Sequence, residues 1–179
     1  MLRLERLSLR VDSKALYKMM SAPDQYLFSA RVTFNSQEMF ENWLRARISH
    51  EFHDFYTIRS SDLDCPIGFA YNYDFSLKDG HCKLCIYLDS MHRTLGLGAI
   101  AAIRYINILF ELYPLRKIYL TIYDYNKQSL QSNLHAGFCE EGVLSDFRYY
   151  DGAYHSLHYL SITRKKFQET LLRLDSRKW

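Results

Sequence analysis

A glycine-containing segment at Asp89–Ala102 carries the clearest chemical signal in this sequence. Arg93, Gly96 and Gly98 are spaced there as Arg-x-x-Gly-x-Gly, directly after the apolar run Leu84–Leu88. Glycine lets the backbone approach a ligand closely and adopt positive φ, and the first N–H groups of a helix have no partner within the helix. Because the helix dipole adds positive potential at that end, such a loop is suited to bind a phosphate or pyrophosphate group.

Apolar spacing places this segment between a strand and a helix. Strands are predicted at His81–Leu88 and Lys117–Tyr123, because each run is short, apolar and bounded by turn residues. The helix that follows the glycines lies between them and stops at Pro114, since proline cannot continue a helix. The predicted phosphate loop therefore joins the end of one strand to the start of the next helix.

Further elements are predicted on both sides of this unit. Toward the C-terminus, Asn126 begins another helix, and two strands surround Asp151-Gly152, a pair typical of tight hairpin turns. Toward the N-terminus, residues 2–9 are predicted to form a strand with a break near Arg6, and Val11–Ser13 to supply the N-cap of the first helix. The predicted order is β-α-α-β-β-β-α-β-α-β-β, which mixes antiparallel strands with one parallel crossover.

The length and charge of the chain narrow the classes of function. With 179 residues it is expected to form one domain, which we place at 1–165, followed by a polar tail at 166–179 with some helix potential. A net charge of +3 is too small to indicate nucleic-acid binding. The N-terminus lacks a signal peptide's apolar region and no segment approaches ~20 apolar residues, so we predict no membrane partner and a cytoplasmic location.

Cysteine spacing does not predict a metal site. Cys82-x-x-Cys85 has the spacing of a zinc-binding pair, but residues three apart in a strand point to opposite faces. A structural zinc site also needs further ligands, and Cys65 and Cys139 stand alone in the sequence. We therefore predict no metal cofactor and expect reduced thiols, as in cytoplasmic proteins.

A dinucleotide-binding site is an alternative interpretation of the glycines. Gly96-x-Gly98-x-x-Ala101 also satisfies the Rossmann fingerprint, and Asp124 ends the next predicted strand. That fingerprint places its first glycine in the turn directly after the strand, whereas residues 89–95 intervene here. A Walker A loop is excluded, because no Lys-Ser/Thr pair follows the glycines.

Several motifs, taken in order, resemble the acetyl-CoA signature of the GNAT acyltransferase superfamily. They are Ile86–Asp89, Arg93-x-x-Gly96-x-Gly98-Ala99, Asn126 with Ser129, Gly137-Phe138, and Tyr150–Tyr154. The branch that they resemble most acetylates the N-termini of ribosomal proteins and also contains spermidine acetyltransferases. The resemblance is strongest between Cys82 and Thr163.

The resemblance implies an α/β, single-domain GNAT fold with a mixed, splayed sheet of six to seven strands and about four helices. It implies that the pantetheine arm of coenzyme A lies between two separated parallel strands and uses free backbone groups of Tyr87 and Leu88. It also implies that the loop amides hold the pyrophosphate, with Arg93 as a charge partner. The cofactor-binding residues implied in this way are Tyr87, Leu88, Arg93, Thr94, Leu95, Gly96, Leu97, Gly98, Ala99, Asn126 and Ser129.

The activity implied by the resemblance is acetyl transfer from acetyl-CoA, used as a cosubstrate, to a primary amine. The acceptor stays open among small amines, amino sugars and protein or peptide N-termini, and a homodimer is compatible with the resemblance. Two alternatives remain: a coenzyme A-binding module that has lost catalysis, and a dinucleotide-binding protein.

One position departs from the family pattern. Relatives often have a tyrosine four residues before the glycine of Gly137-Phe138, and Asn133 stands there. An amide cannot protonate a leaving thiolate, so no catalytic residue is assigned from the sequence. The acceptor is predicted to enter between residues 22–35 and 149–155, where aromatic residues concentrate: Tyr26, Phe28, Tyr149, Tyr150 and Tyr154.

Overall fold

The computed structural model describes residues 2–27, 33–93 and 96–175. Within these residues, seven strands occur: β1 Leu2–Arg6, β2 Phe55–Ser60, β3 Gly68–Ser76, β4 His81–Leu88, β5 Lys117–Tyr123, β6 Cys139–Tyr150 and β7 Ala153–Thr163. The same residues form five α-helices: α1 Leu9–Met20, α2 Gln37–Ile48, α3 Leu97–Leu112, α4 Lys127–His135 and α5 Arg164–Asp175. Short 3₁₀ helices cover Pro23–Leu27 and Ser90–His92.

The strands form one mixed sheet in the order β1-β2-β3-β4-β5-β7-β6. Every neighbouring pair is antiparallel except β4 and β5, which are parallel. The α/β fold with a single parallel crossover is therefore confirmed. A Rossmann domain needs a mostly parallel sheet, so the dinucleotide-binding interpretation is wrong.

The parallel pair β4–β5 separates after three residue pairs. Pairing runs from His81–Lys117 to Lys83–Tyr119 and then stops, although β4 continues to Leu88 and β5 to Tyr123. Beyond the last pair the two strands diverge and leave a V-shaped gap within the sheet. The splayed sheet that the resemblance implied is confirmed.

Strand β4 is buried on both faces, and its two cysteines show this directly. Cys82 belongs to an apolar cluster under α3 and α5, whereas Cys85 belongs to a separate cluster under α1 and α2. Burial raises the pKa of each thiol to about 12, so both are protonated near neutral pH. Among the described residues, no group of three or more His, Cys, Asp or Glu side chains is placed to hold a metal ion.

The first helix begins earlier than the sequence predicted. Strand β1 ends at Arg6 and α1 begins at Leu9, with Ser8 as its N-cap residue. The prediction of an N-cap at Val11–Ser13 is wrong, because the Asp12 carboxylate lies inside the first turn and accepts the Ser8 N–H at 2.9 Å. Asp12 is buried and also pairs with Arg59 of β2, so a distant partner determines where the helix starts.

The segment expected to be a polar tail contains α5. Its Phe167 is buried against Phe110 of α3, with ring centroids 5.5 Å apart. Arg164 closes the end of α3 by donating to the Phe110, Tyr113 and Leu115 carbonyl oxygens at 2.6–2.9 Å.

Among the described helices, none is both long and apolar enough to span a membrane.

Candidate functional site

A cavity of about 350 Å³ occupies the gap between β4 and β5. Its walls come from α3 on one side and α4 on the other, and Phe167 and Thr170 of α5 line it as well. Tyr73, Cys85 and Thr121 also line it, although they point to the sheet face opposite α3. The cavity therefore passes through the sheet, and its size falls within the range of small-molecule sites, ~300–1,000 Å³.

The N-terminus of α3 forms one wall and is shaped to hold an anion. Gly96 is the N-cap residue at φ 89°, and apart from its chain neighbours no atom of the described residues lies within 4 Å of the position that a Cβ would occupy there. Ile100 is the first residue whose N–H bonds back to Gly96, at 3.0 Å, so the N–H groups of residues 97–99 lack helical acceptors. The first turn carries no acidic residue. Open backbone donors and the helix dipole therefore fit a pyrophosphate.

The edge of β4 supplies backbone groups to the gap. The Tyr87 carbonyl oxygen faces Gly68 so closely that a Cβ on Gly68 would clash with it, so this oxygen points toward β3. Backbone groups of successive strand residues alternate in direction, which directs those of Ile86 and Leu88 into the gap. Of the two residues implied to offer edge groups, Leu88 directs its backbone groups into the gap and Tyr87 does not, although both line the cavity. Ile86, which was not predicted, also lines the cavity and directs its backbone groups there.

Arg93 lies at the cavity rim, where its guanidinium already has protein partners. It pairs with Asp24 of the Pro23–Leu27 helix, and its Nε donates to the Leu88 carbonyl oxygen at 2.9 Å. The group also lies 5.2 Å from the Tyr87 ring, whose hydroxyl donates to Asp24 at 3.2 Å. Arg93 therefore ties the Pro23–Leu27 helix to the end of β4, and its contact with a phosphate stays a prediction.

We expect Arg93 and Asp24 to act as one unit in stability. Replacing either by Ala removes the same contact, so a double-mutant cycle should give a coupling free energy of about 1 kcal/mol, within the ~0.5–3 kcal/mol range of contacting pairs. Urea denaturation of the two single variants and the double variant measures it. Additive losses would show that Arg93 acts independently of Asp24 and is available to a ligand.

Helix α4 and its N-cap residue line the opposite wall with polar residues, among them Asn126, Ser129 and Asn133. The Asn126 Oδ1 accepts the Ser129 N–H at 3.4 Å and caps the helix, as predicted, while its Nδ2 donates to the Leu27 carbonyl oxygen at 3.5 Å. The Asn133 Nδ2 donates to the Ser129 carbonyl oxygen at 2.8 Å and lies 3.3 Å from its hydroxyl. Asn133 lines the cavity at the position predicted for a proton donor, and its amide hydrogens are used within the helix.

Four tyrosines surround one arginine beside the cavity: Tyr26, Tyr123, Tyr125 and Tyr150, which we call the tyrosine enclosure. Tyr26 stacks on Tyr150 with ring centroids 5.0 Å apart, and the Tyr125 hydroxyl donates to the Tyr26 carbonyl oxygen at 2.7 Å. Arg148 lies 5.0 Å from the Tyr123 ring centroid. The enclosure therefore joins the Pro23–Leu27 helix to the β6–β7 hairpin.

The aromatic residues predicted to surround the acceptor do not all come together. Tyr26 and Tyr150 meet in the tyrosine enclosure, as expected. Tyr149 and Tyr154 form a separate edge-to-face pair, and they are 64% and 65% exposed. Alternation along β7 directs Tyr154 to the face opposite His155, so this pair does not line the cavity. Phe28 lies outside the described residues.

Most of the residues implied to bind the cofactor line the cavity: Tyr87, Leu88, Arg93, Gly96, Gly98, Ala99, Asn126 and Ser129. The side chain of Leu97 packs instead against the apolar cluster of Leu2, Ile58 and Ile67. Thr94 and Leu95 lie outside the described residues. The sequence analysis missed Ala102, Ile103 and Ile106 of α3, although their spacing from Ala99 places them on one helical face.

Solved structures with the same fold are N-acetyltransferases. The spermidine N-acetyltransferase from Vibrio cholerae, in complex with CoA and spermine, matches with a TM-score of 0.85 and 18% identity over 93% of this chain and 98% of that one. A point mutant of the spermidine N-acetyltransferase from the same organism matches with a TM-score of 0.82 and 18% identity over 93% and 96% of the two chains. Mutant forms of the spermidine/spermine N-acetyltransferase, again from Vibrio cholerae, match with a TM-score of 0.76 and 17% identity over 94% and 98%.

No family model matches this chain, and no curated protein matches it in sequence. The structural likeness extends over nearly the whole of both chains, so the GNAT fold implied by the sequence motifs is confirmed. At 18% identity it establishes the fold, and the activity has to be argued from the site.

Proposed function

We propose that this protein is an acetyl-CoA-dependent N-acetyltransferase that acts on a primary amine. One observation carries the proposal: the gap between β4 and β5 brings unpaired strand edges and the open N-terminus of α3 into a single cavity. Coenzyme A has a pyrophosphate and an amide-containing arm, and these two features of the cavity match them. The likeness to N-acetyltransferase structures supports the same conclusion.

Acetyl-CoA would supply the acetyl group, activated as a thioester. The N–H groups of residues 97–99 would hold the pyrophosphate, and the edges at Ile86 and Leu88 would bond the amides of the arm. The Leu88 N–H points into the gap and is placed to stabilise negative charge on a carbonyl oxygen, as an oxyanion donor does. The amine would approach from the sheet face where Tyr73 and Thr121 line the cavity.

Proton transfer is the step of the proposed reaction that the side chains of the cavity support least. Forming the N–C bond and breaking the C–S bond moves a proton away from the amine and delivers one to the thiolate. Asn133 lines the cavity where relatives have tyrosine, and its amide cannot supply that proton. This observation favours a second candidate function, a coenzyme A-binding module without catalysis.

Substitutions at Asn133 measure the cost of the missing acid. Thiols ionise near pH 8.5, so the thiolate leaves readily, and we expect Asn133→Ala to lower kcat by no more than about tenfold. Asn133→Tyr should raise kcat, at most by the ~10²-fold of modest general acid catalysis. Steady-state kinetics with coenzyme A affinity measured in parallel tests both. A loss of several hundredfold in Asn133→Ala with binding intact would show a direct catalytic role.

Release of free thiol from acetyl-CoA over a panel of primary amines tests the proposed function. Turnover with any amine supports the acetyltransferase. Tight coenzyme A binding without thiol release supports the binding module, and failure to bind coenzyme A rejects both.

The finer features of this function are also proposals. A solved neighbour holds spermine, which supports a small-molecule amine as the acceptor, and a peptide N-terminus is the other class that the sequence motifs imply. The cytoplasmic location and the homodimer stay predictions from the sequence.

A further inference from the structure

Two carboxylates near the acceptor side of the cavity are each paired with a cation of the protein. We define the acceptor side as the sheet face to which Tyr73, Cys85 and Thr121 point, the face covered by α1 and α2. Asp24 is paired with Arg93, and Asp74 lies 2.9 Å from Lys83. Each of these carboxylates is therefore neutralised by a cation of the protein itself.

Asp124, at the end of β5, is engaged by the neighbouring strand. Its Oδ2 accepts the Ser156 N–H at 3.0 Å and its Oδ1 lies 2.8 Å from the His155 Nδ1. These contacts hold its pKa below the usual aspartate range, against the desolvation that would raise it. Both oxygens of the Asp124 carboxylate are thus occupied by groups of β7.

Arg148 is a cation of the acceptor side that is held by neutral groups. Its Nη1 lies 3.4 Å from the Tyr26 carbonyl oxygen and 3.2 Å from the Tyr125 hydroxyl, and its guanidinium lies over the Tyr123 and Tyr150 rings. Among the described residues, no carboxylate pairs with it, and its hydrogen bonds use Nη1 alone. The Nε and Nη2 donors are available to a ligand.

Arg148 lies close to the cavity wall. The residue after Tyr26 is Leu27, which lines the cavity and whose carbonyl oxygen accepts from Asn126. The guanidinium therefore lies against Tyr26, the residue that precedes Leu27 of the cavity wall. It is half-buried and held between aromatic rings, which pre-organises its planar fork for a bidentate contact.

A second arginine, Arg47 of α2, also lies against two aromatic rings. Arg47 lies 5.1 Å from the Trp43 ring and 4.7 Å from the Tyr71 ring, next to Cys85 of the cavity. Its Nε is buried and makes no hydrogen bond within the described part of the chain.

We propose that the acceptor amine also carries a carboxylate or phosphate group and that Arg148 binds this anion. The inference rests on the proposed acetyltransferase activity and names its substrate class. A guanidinium in a partly desolvated site repels a polycation and forms strong charge-assisted hydrogen bonds with a carboxylate or phosphate. The acceptor is thus of the opposite charge type to the spermine held by the solved neighbour.

Matched pairs of amines test the inference. β-Alanine is compared with propylamine, phosphoethanolamine with ethanolamine, and spermidine is added as the polycation. At equal pH and ionic strength we expect the anionic member of at least one pair to have a kcat/KM about tenfold above its neutral partner and above spermidine. Comparison of the β-alanine pair with the phosphoethanolamine pair identifies whether a carboxylate or a phosphate is preferred.

Variants at Arg148 separate recognition from packing. Arg148→Gln should raise KM for the anionic amine by about tenfold or more, while KM for its neutral partner and for acetyl-CoA changes less than about twofold. Arg148→Lys retains the charge and should keep part of the preference. Arg45→Gln serves as the control, because Arg45 is 62% exposed on α2 and pairs with Glu41. Thermal melting confirms that each variant is folded.

The outcomes distinguish this inference from the proposed function. The inference is overturned if spermidine has the highest kcat/KM. It is also overturned if Arg148→Gln raises KM equally for both members of a pair. Either result leaves the proposed acetyltransferase activity intact. If no amine releases thiol, calorimetric titration of β-alanine and phosphoethanolamine into the protein–coenzyme A complex decides. Binding that Arg148→Gln abolishes supports the anion site, and the absence of binding rejects it.

Discussion

Gly96→Asp should raise the dissociation constant for coenzyme A at least about 100-fold while the protein still folds. A side chain fits at this position, because in the described part of the chain no atom beyond the neighbouring residues lies within 4 Å of the Cβ site. Its carboxylate would oppose a pyrophosphate held by the N–H groups of residues 97–99. Two like charges about 4 Å apart repel by ~4 kcal/mol at the effective dielectric of a protein surface, which corresponds to a factor of ~10³ in affinity.

Gly96→Asn is the matched control, because it has the same shape without the charge. Both residues tolerate the left-handed backbone better than other side chains, so the φ of 89° affects the two variants alike. Calorimetric titration with coenzyme A and thermal melting should show binding lost only in Gly96→Asp. Equal affinity in the two variants would remove the pyrophosphate from this loop.

Asp12→Ala should lower the free energy of unfolding by about 3 kcal/mol, as expected when one partner of a buried ion pair is removed. The side chains of Asp12 and Arg59 are only 2% and 13% exposed. Removing the carboxylate leaves the buried guanidinium with only the half-exposed Glu5 as an acidic partner, and it leaves the Ser8 N–H at the start of α1 without its acceptor. Urea denaturation followed by circular dichroism measures the loss.

Glu5→Ala provides the control on the same arginine. Glu5 lies 3.1 Å from the Arg59 Nε, but its side chain is 46% exposed, so its removal should cost less than about 1 kcal/mol. Equal losses in the two variants would contradict the assignment of Asp12 as the main partner. A loss below about 1 kcal/mol in Asp12→Ala would show that Arg59 finds another acceptor.

The elements around the gap were predictable because each has a local signal. The predicted bounds of β4 and β5 agree with the structure, since both strands are short apolar runs between turn residues. The cap of α4 at Asn126 and the glycine turn before α3 follow from side-chain chemistry within three or four residues. The motif order then led to the fold, which the solved structures confirm.

Contacts between residues that lie far apart along the chain could not be predicted from the sequence. Nothing near Arg93 indicates that Asp24, on another element, would bind its guanidinium. The start of α1 depends on Arg59 in the same way, and α5 has a weak apolar stripe, with Phe167 as its buried anchor. The arginine of the tyrosine enclosure escaped notice for the same reason, because its four rings come from three separate parts of the chain.

The short ladder between β4 and β5 divides the sheet into two halves that differ in when they are synthesised. Strands β1 to β4 pair with one another and are complete once Leu88 has been made, whereas β5, β7 and β6 form the second half. Only three residue pairs join the halves. Domains are synthesised from the N-terminus at about 5–20 residues per second, so the first half-sheet can assemble on the ribosome seconds before its partner exists. The gap that we propose as the cofactor site is then the seam between the half of the sheet that is made first and the half that is made last.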